Sequence, residues 1–176
     1  MTSMTSSGMQ SFSVAALVDL HDTPLALASS ALTGYLFASA AGILIGGAVA
    51  DRTKRHDVVA ACAFMTTGVL VLLVATVSLP AVLLIAALVL AGLMQGVIRP
   101  ARDMMVRAVA PQGQTGKVFG FVSAGIAVGG AVAPILFGYI MDFGRPQWVF
   151  YALALFMVVA VVTVAVPKTR KQAAGM

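Results

Sequence analysis

The segment Gly47-Ala-Val-Ala-Asp51-Arg52-Thr-Lys54-Arg55-His56 separates two long apolar stretches and is the densest charge cluster in the first half of the chain. Apolar residues dominate on both sides of it, because 60% of the chain is hydrophobic, 10% is charged and the mean hydropathy is +1.01. Those values lie outside the usual range for soluble globular domains. The sequence therefore predicts an integral membrane protein in which this segment is a short loop at the membrane surface.

The apolar stretches around the loop have the length of membrane-spanning helices. A bilayer core of about 30 Å needs roughly 20 helical residues. A membrane β-barrel would instead show alternating polarity over about 10 residues at a time, a pattern that this sequence lacks. We therefore expect an all-α bundle of about five transmembrane helices, with Pro80 in the turn between the second and third. The predicted spans are residues 25–50, 58–79, 81–98, 118–141 and 148–166.

The distribution of Lys and Arg between the loops predicts the orientation. Cytoplasmic loops retain basic residues, and here all but Arg145 fall on one side of the five predicted spans. That side is then cytoplasmic, and the basic tail, residues 168–176, lies on it. The protein is expected in the inner membrane of a cell, with its C-terminus in the cytoplasm. The basic residues on it are Arg52, Lys54, Arg55, Arg99, Arg102, Arg107, Lys117, Lys168, Arg170 and Lys171.

The N-terminal segment, residues 1–24, is harder to place. With five spans it lies on the extracytoplasmic side, and its apolar run from Met9 to Val18 is too short to cross a bilayer as a helix. The first basic residue of the chain is Arg52, so a cleavable signal peptide is not predicted. The run is either a re-entrant or interfacial stub, or the last part of a helix whose beginning is absent from this chain.

Several classes of function are disfavoured by residue content. The chain has no Glu, one cysteine, Cys62, and two histidines near loops. These residues supply no spacing typical of a metal site and no nucleophile with its base, so we expect no metal, no cofactor and no enzymatic activity. The net charge of +5 has its usual membrane-protein cause in retained cytoplasmic Lys and Arg, which argues against nucleic-acid binding.

Charged residues follow the third predicted span at helical spacing. Arg99, Asp103 and Arg107 are four residues apart, so on a continuous helix they form a ladder of opposite charges. Pro100 lacks an N–H and is expected to kink that helix. The ladder is either a solvated basic helix end or a set of inter-helix salt bridges that opens and closes with a conformational change.

Asp51 stands at the C-terminal end of the first predicted span, where the helix dipole disfavours an anion. Arg55 is one candidate partner for its carboxylate, and the N-terminus of a neighbouring helix is another. Gly47, one turn earlier, is expected to let that neighbour's backbone come close.

The fourth predicted span is rich in small residues. Their spacing puts them on faces where a second helix can approach closely, and tight packing is the main interpretation. Glycine and proline together also permit bending. The residues concerned are Gly125, Gly129, Gly130, Pro134 and Gly138.

Polar residues inside the spans are the candidates for contact with a solute, because no ionisable residue lies in a span away from its ends. Gln95, in the cytoplasmic third of the third span, is the strongest of them. Tyr35 and Ser39 are further candidates for lining a cavity. Hydrogen bonding or packing between helices is the alternative role for all three.

The loop that opens this section resembles the signature loop of the major facilitator superfamily. That family's pattern is Gly-x-x-x-Asp-Arg-x-Gly-Arg-Lys/Arg, which Gly47, Asp51, Arg52 and Arg55 match. The chain departs from the pattern at Lys54 and His56, as the weaker copy in the second half of such transporters typically does. Residues 129–145 are similar to the family's penultimate helix and outer loop.

The resemblance implies one half of a transporter fold, in which the five spans correspond to the eighth through twelfth helices and residues 9–18 to the last turns of a shortened seventh. The first half of such transporters has a like arrangement, but the basic tail and the turn from Asp142 to Arg145 favour the second half. The family implies a secondary transporter with its substrate site between two six-helix halves.

Two functions follow as hypotheses. The first is transport of a small solute by alternating access, with coupling to protons left open. In this hypothesis the chain is one half of a transporter, as a fragment, and needs a complementary half or a second copy in the bilayer. The second is a membrane subunit that does not transport, either an interaction partner or an inactive truncated product.

Overall fold

The computed structural model describes residues 2–21, 24–53, 55–77, 79–111, 113–143 and 147–173. This part of the chain forms six α-helices, and the prediction of an all-α membrane bundle is confirmed. Four described helices, α2 to α5, are long and apolar enough to cross a membrane, and the described apolar part of α6 is Gln147–Thr163. The helices are α1 (Thr2–His21), α2 (Leu25–Arg52), α3 (His56–Thr76), α4 (Ala81–Val109), α5 (Thr115–Asp142) and α6 (Gln147–Ala173).

Prolines begin two of the helices. Pro24 precedes α2, and its carbonyl accepts hydrogen bonds from the N–H groups of Leu27 at 2.8 Å and Ala28 at 3.1 Å. Pro80 precedes α4 in the same way, as its place in the predicted turn suggested. Proline suits the start of a helix because the first backbone N–H groups have no partner within the helix.

The fourth helix is longer than the predicted span 81–98, because it continues through Pro100 to Val109. The proline forfeits one backbone hydrogen bond, but its ring packs against α2, where a Cβ built on Gly46 would lie 2.9 Å from Pro100 Cγ. This extension changes the position of Gln95, which sits at the middle of the helix rather than near its cytoplasmic end.

The N-terminal segment is part of the bundle. Its helix, α1, packs on α5, α6 and α2 and runs parallel to α5, since Ser3 faces Gly129 and Phe12 faces Gly138. The apolar run from Met9 to Val18 is therefore part of a longer helix, because α1 is 20 residues long and starts among polar residues. The extracytoplasmic position of residues 1–24 stays a prediction.

The tightest pair of helices is α2 with α4. On α2, Gly42 faces Gly96 of α4, and Gly46 lies against Val97 and Pro100 of the same helix. A Cβ on Gly92 would overlap the carbonyl group of Tyr35, and a Cβ on Gly96 would overlap the carbonyl oxygen of Ser39. Small residues at this spacing allow two helix backbones to come into direct contact inside a membrane. The four glycines together therefore determine how closely α2 and α4 pack.

The remaining helices surround this pair unevenly. Helix α3 packs against α4 and α6, whereas α5 is held mainly by α1 and makes little contact with α4 or α6. Only Ala133 and Phe137 are buried among the residues of α5. Helix α5 is thus the most exposed described member of the bundle, attached along one face.

Candidate functional site

A cavity of about 290 Å³ lies between α1, α4 and α5. Helix α4 makes few backbone contacts with the other two helices, because α1 packs on α5 and α4 packs on α2. One of the cavity's lining residues is Gln95, at the middle of α4. The lining residues are Ser3, Ser6, Ser7, Gln10, Gln95, Arg99, Arg102, Ile126 and Gly130.

Helix α1 contributes a polar face to the cavity. Ser3, Ser6, Ser7 and Gln10 lie at positions i, i+3, i+4 and i+7, which places them on one side of a helix. The sequence analysis missed these residues because it considered only the apolar run that begins at Met9. The serine and glutamine spacing was the signal that could have revealed them.

Gln95 is the most buried polar residue of the cavity, with only 2% of its surface exposed. Its side-chain Nε2 donates a hydrogen bond of 2.8 Å to Ser6 Oγ on α1, the link between α1 and α4 across the cavity. Its Oε1 is buried and has no hydrogen-bond partner in the part of the chain that the structure describes. A buried acceptor left unpaired costs about 1–3 kcal/mol, so this atom favours the arrival of a donor.

Two arginines supply positive charge one and two turns beyond Gln95. Arg102 is paired with Asp103, since its Nη2 lies 2.8 Å and its Nε 3.0 Å from Asp103 Oδ1. Arg99 has no carboxylate within ion-pair distance among the described residues. The cavity lining therefore holds two guanidinium groups and no carboxylate.

The predicted charge ladder is corrected by this geometry. Arg99, Asp103 and Arg107 do lie on one continuous helix, but the carboxylate pairs with the adjacent Arg102 instead of with either of them. The side chains of Arg102 and Asp103 are both partly exposed, at 29% and 48% of their surfaces. Arg107 is exposed.

The other predicted lining residues belong to a helix interface. Tyr35 and Ser39 are buried where α2 crosses α4, and their carbonyl groups contact the glycines of α4. Neither residue lines the cavity. They were predicted to line a cavity because of their hydroxyl groups, whereas in the structure their backbone carbonyl groups pack against α4.

The loop motif lies at the end of α2, away from the cavity. Asp51, Arg52 and Arg55 are exposed, and no ion pair joins them to another charged residue of the described chain. No described atom comes within 4 Å of a Cβ built on Gly47, so the close approach expected there is corrected. The close approach to a neighbouring helix is made instead by Gly46, one residue earlier, which lies against Val97 of α4.

The small residues of α5 divide into two groups. Gly129, Gly130 and Gly138 face α1, with Ser7 Oγ at 3.6 Å from a Cβ built on Gly130 and Phe12 Cζ at 3.7 Å from one on Gly138. A Cβ on Gly125 meets no described atom within 4 Å, and Pro134 is exposed. The packing expected at Gly125 is therefore absent from the described chain.

The described residues hold no group of three or more His, Cys, Asp or Glu side chains that would suit a metal ion. The cavity instead offers hydroxyl and amide groups and two guanidinium groups, which bind organic solutes by hydrogen bonds and charge.

Comparison with known proteins identifies the architecture. A family model described as Major Facilitator Superfamily matches residues 1–175. No curated protein sequence matches the chain significantly. The family match includes the polar face of α1, the loop after α2, and the helices that enclose the cavity.

Proposed function

Because the chain belongs to the major facilitator superfamily, we propose that it supplies one half of a secondary transporter that moves a small solute by alternating access. The observation that carries this proposal is the cavity beside the middle of α4, which is lined by Gln95, with its buried and unpaired Oε1, and by polar residues of α1. In this proposal Gln95 and the α1 serines contact the solute.

A complementary half, or a second copy of this chain, completes the transporter in the proposal. The exposure of α5 supports it, because this helix lines the cavity with Ile126 and Gly130 yet, among the described residues, is covered mainly by α1. A solute path enclosed on all sides requires another surface opposite α5. The excess of Lys and Arg on one side of the spans supports an inner-membrane orientation with the C-terminus in the cytoplasm.

Uptake measurements test the proposal. Solutes that stabilise the purified chain in a thermal-shift screen are offered in radiolabelled form to proteoliposomes that hold the chain with a complementary half or as a cross-linked dimer. We expect Gln95→Leu to lower uptake about tenfold, because it removes the buried amide from the cavity. Gln114→Leu, at an exposed residue before α5, is the matched control and should leave uptake unchanged.

Equal uptake by the Gln95 variant and its control would contradict the solute-binding role of the cavity. Absence of uptake for every stabilising solute, in both assemblies, would favour a membrane subunit that does not transport.

The loop motif gives a separate prediction. In the proposal Asp51 stabilises one conformational state and does not touch the solute, in keeping with its exposed position at the end of α2. Asp51→Asn should therefore lower the uptake rate about tenfold, equivalent to about 1.4 kcal/mol between states, while equilibrium solute binding changes little. Asp142→Asn, at the other end of the bundle on α5, is the control. Loss of solute binding with an unchanged rate of state exchange would overturn this role.

A further inference from the structure

We propose that the cavity selects a small organic anion that also carries a hydrogen-bond donor, such as a hydroxy acid or a hydroxylated phosphate ester. The inference rests on the proposed function and names the class of solute that the cavity takes. Three observations lead to it: the charge of the lining, the unpaired acceptor of Gln95, and the size of the cavity.

The charge of the lining favours an anion. Arg99 and Arg102 both border the cavity, and no carboxylate does. Asp103 neutralises Arg102 from outside the lining, which leaves the guanidinium of Arg99 without an anionic partner among the described residues. Guanidinium groups bind carboxylates and phosphates through paired, charge-assisted hydrogen bonds, which are about twice as strong as neutral ones. A neutral or cationic solute would leave that charge uncompensated.

The amide of Gln95 adds a second requirement. Its Nε2 donates one of its two hydrogens to Ser6, whereas the buried carbonyl oxygen Oε1, which accepts and cannot donate, has no hydrogen-bond partner among the described residues. An anion without a donor, such as a simple carboxylate, would leave this acceptor unpaired. A hydroxyl on the same solute, one helical turn from the group bound by Arg99, satisfies both sites at once.

The size of the cavity limits the solute. A volume of about 290 Å³ is at the small end of the range for ligand pockets. The serine hydroxyls of α1 provide further donors and acceptors for a compact polyhydroxylated molecule. The site therefore suits a solute of a few carbon atoms with one acidic group.

Binding is measured on the full chain in nanodiscs by isothermal titration. The probes are glycerate, glycerol 3-phosphate and lactate, each compared with a neutral analogue, and propionate serves as the anion that lacks a donor. We expect at least one hydroxylated anion to bind about tenfold more tightly than both its neutral analogue and propionate. If none of these anions binds more tightly than its neutral analogue, the proposal is overturned.

Two variants separate the two requirements. Arg99→Gln should weaken binding of the hydroxylated anion about tenfold or more and leave the neutral analogue unaffected. Gln95→Leu should weaken the hydroxylated anion to the level of propionate and leave propionate itself unchanged. Lys117→Gln removes an exposed charge from α5 outside the cavity and is the control for net charge. Equal losses in the Arg99 and Lys117 variants would show that only the overall charge matters, which contradicts the proposal.

An anionic lipid headgroup offers the same chemistry, so the titration is run in phosphatidylcholine nanodiscs and again in phosphatidylglycerol nanodiscs. Similar affinities in the two lipids are expected if the site takes a soluble solute. Complete loss of binding in phosphatidylglycerol would assign the arginines to a lipid and overturn the proposal.

Failure of this inference and failure of the proposed function give different results. Uptake of a neutral solute that is lost in Gln95→Leu but kept in Arg99→Gln would contradict the anion and leave transport standing. Binding of the hydroxylated anion with the expected response of both variants, without uptake in any assembly, would support the anion site and contradict transport.

Discussion

Replacing Gly96 by alanine is expected to destabilise the bundle by about 3 kcal/mol or more, because the added Cβ has no space. The Cβ would overlap the carbonyl oxygen of Ser39 and approach the backbone of Gly42 to 2.8 Å. These obstacles belong to helix backbones and cannot rotate away as the end of a side chain could. Helices α2 and α4 must then separate along their whole contact. Unfolding in mixed micelles, followed by circular dichroism, measures the change.

Gly125→Ala is the matched control for this substitution. Gly125 is also a helical glycine, but no described atom lies within 4 Å of its built Cβ. Alanine favours a helix over glycine by roughly 0.5–1 kcal/mol, so this variant should be unchanged or slightly more stable. Equal destabilisation by the two substitutions would show that the glycine contact between α2 and α4 does not determine the stability of the bundle.

Replacing Phe137 by alanine is expected to loosen α5 from the rest of the bundle. The ring is fully buried and stands between two helices, with its centroid 6.1 Å from that of Phe12 on α1 and 6.3 Å from that of Phe156 on α6. Gly8 of α1 leaves the space that the ring occupies. Truncation of a buried aromatic ring costs about 3–5 kcal/mol. Hydrogen exchange, compared between the variant and the unsubstituted protein, should be accelerated more in α5 than in α2 or α4.

Phe121→Ala provides the control, since Phe121 lies on the same helix with 83% of its surface exposed. It should leave exchange in α5 and the free energy of unfolding nearly unchanged, within about 0.5 kcal/mol. The role of Phe137 as the attachment of α5 would be disproved if its truncation accelerated exchange uniformly through all helices.

The helices themselves were largely predictable, and their ends were less so. Hydropathy and the length of the bilayer core identify the apolar runs of α2 to α6, and Pro80 marks the turn before α4. The continuation of α4 past Pro100 was not predictable from hydropathy, because residues 99–107 include four charged side chains and lie beyond the apolar run. Helix α1 was underestimated for a similar reason, because it starts among polar residues.

The candidate site was predicted only in part. Gln95 stood out as a polar residue inside an apolar span, and the structure places it in the cavity. Arg99 was noticed for its spacing within one helix, whereas it belongs to the site because it lines the cavity together with residues of α1 and α5. Tyr35 and Ser39 carry the same kind of polar group as the cavity residues but face another helix. No local pattern distinguishes these two cases.

The amino-acid sequence by itself determined that this protein is an all-helical membrane protein, where most of its spans lie, and which family its loop motif resembles. Only the tertiary structure decided which helices pair, which glycines form the contact between α2 and α4, and which polar residues share a cavity. The physical reason is that lipid is as apolar as a protein core, so hydrophobicity does not reveal which face of a membrane helix is buried. Those faces are selected by the fit of small residues against a neighbouring backbone, which depends on two helices at once.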